Sequence, residues 1–138
     1  MDLHVANLVV AATLAGLIWT IQLVHYPLFA LVGEDGWQRY EADHQRRITW
    51  VALPLMSANV GVAVLLLIHE GSALATVNAV IAVGLFAATG LVYAPLHGQL
   101  AAAFSPVHIK RLVRLNWLRT VAWTGQVAVA VALVLGSG

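Results

Sequence analysis

Histidine, tyrosine and arginine side chains recur in this sequence at helical spacing, in a pattern suited to moving protons and holding an anionic oxygen. Trp19, Gln22 and Tyr26 fall at i, i+3 and i+7, with His25 beside them, and His44, Arg47 and Val51 repeat that spacing. Thr89, Tyr93 and His97 recur at steps of four, and Asn116, Arg119, Thr120 and Trp123 share one further helix face. Histidine exchanges protons near neutral pH. Arginine and asparagine donate to a developing enolate or phenolate oxygen, and tryptophan rings stack on an aromatic body. The expected catalytic group is therefore His25, His97, Asn116 and Arg119. Trp19, Gln22, Tyr26, Tyr93, Trp123, His44 and Arg47 are the expected substrate contacts. His25, His44 and His97 also form a candidate metal set, provided their rings converge to about 2.0–2.2 Å from one ion. A histidine-bound metal or haem would then supply oxidation chemistry. His108, beside Lys110 and Arg111, reads as a solvated residue, and His4 and His69 as helix-end residues.

Other chemistries are excluded. Cysteine is absent, which removes disulfides, thiolate metal sites and cysteine nucleophiles. No phosphate-binding glycine loop, serine nucleophile elbow, HExxH motif or carboxylate cluster occurs. All six acids fall near the termini or in expected connections, which argues against a carboxylate-bridged di-iron site and a buried-carboxylate proton relay. A net charge of +1 provides no extended basic face for nucleic acid.

The elements that must carry these residues follow from composition. Hydrophobic residues make up 61% of the 138 and charged residues 9%, with a mean hydropathy of +0.86. So few charges leave lipid as the solvent for much of the surface. Four apolar segments (about 3–31, 47–68, 73–103 and 107–135) each exceed the roughly 20 residues that a bilayer core requires. None alternates like a spanning strand. Gly33-Glu34-Asp35-Gly36, Glu70-Gly71-Ser72 and Ser105-Pro106 mark the connections by cap and turn chemistry. Short links make successive helices antiparallel, so the expected fold is all-α: a single domain, 1–138, forming an up-down bundle of four transmembrane helices. The first run is too long for a signal-peptide core and lacks a basic flank, so it is read as a retained helix. Leu23-Val24-His25-Tyr26-Pro27-Leu28 and Leu91-Val92-Tyr93-Ala94-Pro95-Leu96 share the frame LVxxPL, which raises a parallel repeat of two hairpins.

Charge asymmetry sets the expected orientation. Arg39, Arg46 and Arg47 lie around the first connection, and Lys110, Arg111, Arg114 and Arg119 around the third. The positive-inside rule places both connections in the cytoplasm and both termini outside, as in a bacterial cytoplasmic membrane. Pro27, Pro54 and Pro95 all fall in the inner half, where freed carbonyls favour a cavity. The expected pocket opens toward the cytoplasm or inner leaflet. Trp19, Gln22, His25, His97, Asn116, Arg119 and Trp123 would line it, with His44 and Arg47 at its mouth. Membrane lipid and a lipophilic small molecule are the expected partners, and a homo-oligomer stays open.

Pro95-Leu96-His97-Gly98-Gln99-Leu100 followed by Asn116-Trp117-Leu118-Arg119 resembles a pattern in small four-helix membrane proteins of the anthrone oxygenase-like family. The resemblance covers about a quarter of the chain. It implies action on polycyclic, quinone-precursor-like substrates, with His97, Asn116 and Arg119 as the polar face. His25-Tyr26-Pro27 is also similar to the first helix of small four-helix bacterial protoporphyrinogen oxidases, which brings in haem or tetrapyrrole chemistry. Three functions stay open from sequence: a membrane oxidoreductase acting on a lipophilic aromatic or quinone-like substrate, a structural or assembly subunit without catalysis, and an oligomeric carrier or channel-like module.

Overall fold

A computed structural model describes residues 2–137, and among these the chain is helical apart from short connections. Four helices result: α1 (Leu3–Leu31), α2 (Glu34–Glu70), α3 (Ala73–Ala102) and α4 (Pro106–Gly136). Each is long and apolar enough to cross a membrane.

The helix ends follow local chemistry. The Asp2 side chain accepts from the His4 backbone N–H at 2.7 Å, capping α1. At the far end, α1 tightens into a 3₁₀ turn over Phe29–Leu31. Gly33 then reverses the chain with φ 75°, a conformation that side chains resist. Gly71 caps α2 at φ 61°, its N–H reaching the Leu67 carbonyl at 2.9 Å. Ser72 and Ser105 accept from the N–H groups of Ala75 and His108, and Pro106 opens α4 where its missing donor costs nothing.

One boundary differs from the sequence expectation. α2 begins at Glu34 rather than near residue 47, and it runs unbroken through Pro54. Only Val32 and Gly33 separate α1 from α2. The polar stretch taken for a loop is an amphipathic extension of the helix: Trp37, Glu41 and His44, at i, i+4 and i+7, all turn inward and are buried.

α1 packs chiefly on α4, and α2 on α3; contacts of α1 with α2 and of α3 with α4 close the ring. Asn7 and Asn78, near the starts of α1 and α3, meet at 2.9 Å. Gln126 of α4 bonds Asn78 at 3.1 Å and Asn59 of α2 at 3.2 Å. The odd helices thus run one way and the even helices the other. The termini and the α2–α3 turn share one end, here the terminal end. The basic residues lie toward the opposite, basic end.

Packing also differs along the axis. Toward the terminal end, Ala63, Ala75, Ala79, Ala82 and Ala130 are buried and let backbones approach closely. Toward the basic end, the large side chains of Phe29, Trp37, Leu100 and Leu112 fill a wider interior. The outward faces are apolar: Trp50, Leu91, Leu31 and Leu135 are each 78–79% exposed.

Candidate functional site

Two local distortions shape the basic half. A π-helical turn, Ile21–His25, interrupts α1 two residues ahead of Pro27, and a second, Thr89–Tyr93, interrupts α3 two residues ahead of Pro95. A π-turn inserts one residue into the ladder and rotates the segment beyond it by about 100°. The prolines explain the positions, because each lacks the N–H that would complete the regular ladder. Tyr26, Tyr93 and Leu96 are consequently buried within the bundle.

Between the four helices lies a cavity of about 300 Å³, at the small end of the range for ligand sites. Leu14, Ile18, Ile21 and Met56 form its apolar floor. Its outer lining residues, Thr49 and Leu53 of α2 and Phe86, Gly90 and Ala94 of α3, are exposed. The cavity therefore opens sideways, between α2 and α3. Gly90 leaves that gap free of a side chain.

Polar groups gather at one wall. Glu41, fully buried, contacts His97 Nδ1 through Oε1 at 2.7 Å, and His97 Nε2 lies 2.9 Å from the Tyr26 hydroxyl. Gln45 Nε2 donates to Glu41 Oε1 at 3.2 Å and to the His97 carbonyl at 3.1 Å, fixing both. Carboxylate, imidazole and phenol form a chain ending at the cavity, which Tyr26 and His97 line. With Glu41 ionised, His97 donates from Nδ1 and accepts from Tyr26 at Nε2, so the phenol is poised to pass its proton inward.

Arg119 and Trp123 of α4 also line the cavity. The Arg119 guanidinium sits 4.5 Å from the Tyr93 ring centroid and 5.1 Å from that of Trp123. Nη1 donates to Asn116 Oδ1 at 3.4 Å, the Tyr26 hydroxyl is a further polar neighbour of the guanidinium, and Asn116 in turn donates to Gln22 at 2.8 Å. Among the described residues Arg119 makes no ion pair. Arg119 Nε and Trp123 Nε1 are buried donors without an acceptor. The Tyr93 hydroxyl donates to the Leu115 carbonyl at 2.8 Å.

A second concavity lies outside this cavity, between α1 and α2, lined by His25, Tyr40, Asp43, His44 and Arg47. There His25 Nε2 and His44 Nδ1 are 2.8 Å apart. The residues singled out from sequence thus separate. Tyr26, Tyr93, His97, Arg119 and Trp123 line the cavity; His25, His44 and Arg47 line the outer groove. Gln22 and Asn116 are buried between α1 and α4 and brace Arg119 from behind, with Gln22 also donating to the Val113 carbonyl at 3.3 Å. Trp19 turns outward, donates to Thr124 at 3.1 Å and meets Trp117 edge-on.

The histidines do not present a metal site. Among the described residues no group of three histidine or acidic side chains is arranged around a common ion position. His97 engages Tyr26 and Glu41 with its two ring nitrogens, and His25 and His44 engage each other. Haem meets the same obstacle, since the one histidine lining the cavity has no ring nitrogen to spare as an axial ligand.

Glu41 is the residue sequence reasoning missed. Its expected place in a connection told against a buried-carboxylate relay, and its complete burial overturns that premise. A usable signal existed: Trp37, Glu41 and His44 continue the helical period of α2 well ahead of residue 47.

No protein-family model matches this chain, and neither a curated protein nor a solved structure does.

Proposed function

We propose that this chain is an integral membrane protein that binds a lipophilic aromatic molecule carrying a phenolic or enolic oxygen and takes up its proton. One observation carries this reading: Arg119 and Trp123, whose Nε and Nε1 are buried donors lacking acceptors, both line a largely apolar cavity. An uncompensated arginine is costly to bury, and a ligand oxygen that becomes anionic would offset that cost. Tyr93 and Trp123 supply ring faces for the aromatic body. Tyr26, beside Arg119, would accept the ligand proton while passing its own to His97, leaving imidazolium paired with Glu41. The reaction class is proton abstraction from a quinol- or naphthol-like substrate. Oxidoreductase turnover would add an external oxidant to this proton-handling half. A purely structural role leaves the two donors unexplained.

Orientation belongs to the same reading. Reporter fusions at Gly71 and the C-terminus should report the outside, and fusions at Gly36 and Ser105 the cytoplasm. A cytoplasmic C-terminus in a stable fusion overturns it. Calorimetric titration in lipid nanodiscs tests the site: naphthol should bind saturably, and naphthalene, lacking the oxygen, should not. Equal uptake of both removes the anion-site reading.

A further inference from the structure

The relay needs an exit, because a proton held on His97 blocks the next abstraction. Glu41 and His44 stand one helical turn apart on α2, both more than nine-tenths buried, and each keeps one polar atom without a partner: Glu41 Oε2 and His44 Nε2. The His44 and His97 rings lie 5.5 Å apart between centroids, with Glu41 bound to the latter. His44 Nδ1 meets His25 Nε2 at 2.8 Å, and His25 reaches the outer groove. The sequence of groups from cavity to surface is Tyr26, His97, Glu41, His44 and His25.

We propose that Glu41, His44 and His25 form a proton route between the cavity and the aqueous phase at the basic end. This inference rests on the function proposed above. The proton abstracted through Tyr26 to His97 Nε2 displaces the Nδ1 proton to Glu41 Oε1. The protonated carboxyl turns to present that proton on the His44 side, and His44 Nε2 takes it through one bridging water. His44 then releases its Nδ1 proton to His25 Nε2, and His25 releases its own from Nδ1 to solvent. One proton leaves per ligand ionised, and Arg119 balances the anion left behind. Both histidines can take up a proton at one nitrogen while releasing one from the other, whereas an Asn or Gln amide hydrogen-bonds but does not relay protons. The charged groups around the exit are Asp43 and Arg47 on α2, with the Tyr40 hydroxyl beside them. Across the bundle the facing groups are Tyr26 on α1 and His97 on α3, with Arg119 of α4 next to Tyr26.

The experiment uses nitronaphthol, whose ionised form absorbs visible light, bound to the full chain in nanodiscs. After a stopped-flow pH jump, the bound probe should change colour in a phase independent of probe concentration. His44→Gln and His25→Gln should slow that phase by about a hundredfold, the lower end of what a positioned proton-transfer group contributes, with equilibrium affinity retained. Imidazole added to the solution should restore the rate in His25→Gln. His25 is only partly buried, so its variant serves even where His44→Gln fails to fold. Unchanged rates in His25→Gln, with probe bound, overturn the route alone. Failure of the unaltered protein to bind nitronaphthol overturns both the route and the site.

Discussion

The bundle carries two buried polar layers, and they are built from different chemistry. Near the terminal end, Asn7, Asn59, Asn78 and Gln126 give one amide from each helix. Toward the basic end, Tyr26, Glu41, His97 and Arg119 also take one residue from each helix. The amides bond mainly to one another; a single Asn7 nitrogen is left over, and none of the four lines either cavity. The ionisable layer borders a cavity and leaves a carboxylate oxygen of Glu41 and the Nε of Arg119 unanswered. A neutral layer closed on itself fixes helix register; an ionisable layer open on one side has capacity for a ligand.

Three substitutions separate the layers, from the largest effect to the smallest. Arg119→Met should weaken naphthol binding by about 2–5 kcal/mol while the unfolding temperature does not fall, since it removes an uncompensated buried charge. A melting temperature lowered in step with binding would make Arg119 structural and erase the contrast. Gln126→Leu should do the reverse. It strips hydrogen bonds to Asn59 and Asn78 and should cost about 1–2 kcal/mol of stability, with naphthol affinity retained. A matching loss of affinity in the titration would show the layers to be coupled. The smallest effect belongs to Asp2→Ala. The His4 backbone N–H holds the Asp2 carboxyl below the usual carboxylate range. Its contribution is present above the unfolded value and is lost as pH falls through the lower folded one. Thermal melts should therefore lose a slight acid-side dependence in Asp2→Ala, with both layers untouched.

Much of the site was legible because helical period survives in short windows. Arg119 and Trp123 share a face four residues apart, and so do Tyr93 and His97, whatever the helix ends do. Depth was less legible. Placing the start of α2 near residue 47 hid Glu41, although a stripe through Trp37 and His44 marked the helix. His25 was assigned to the pocket from its neighbours, but adjacent helix positions diverge by about 100°, so Tyr26 lines the cavity while His25 meets His44 of α2. The amide layer was missed for a different reason. Asn7, Asn59, Asn78 and Gln126 stand singly in apolar runs, and only the register between helices brings them level. One clue was available, because Asn7 and Asn78 each follow closely on a helix start.

The sideways opening between α2 and α3 changes what concentration means for this site. In a bilayer, a molecule entering beside Leu53 and Phe86 arrives from the hydrocarbon, so the protein samples its mole fraction in lipid rather than its molarity in water. Adding lipid at constant total ligand dilutes the ligand around the opening and makes an aqueous dissociation constant drift upward, though nothing in the site has changed. Affinities for a series of ligands would then track partition coefficients until each is divided by its own. What remains after that division is the part owed to Arg119 and Trp123.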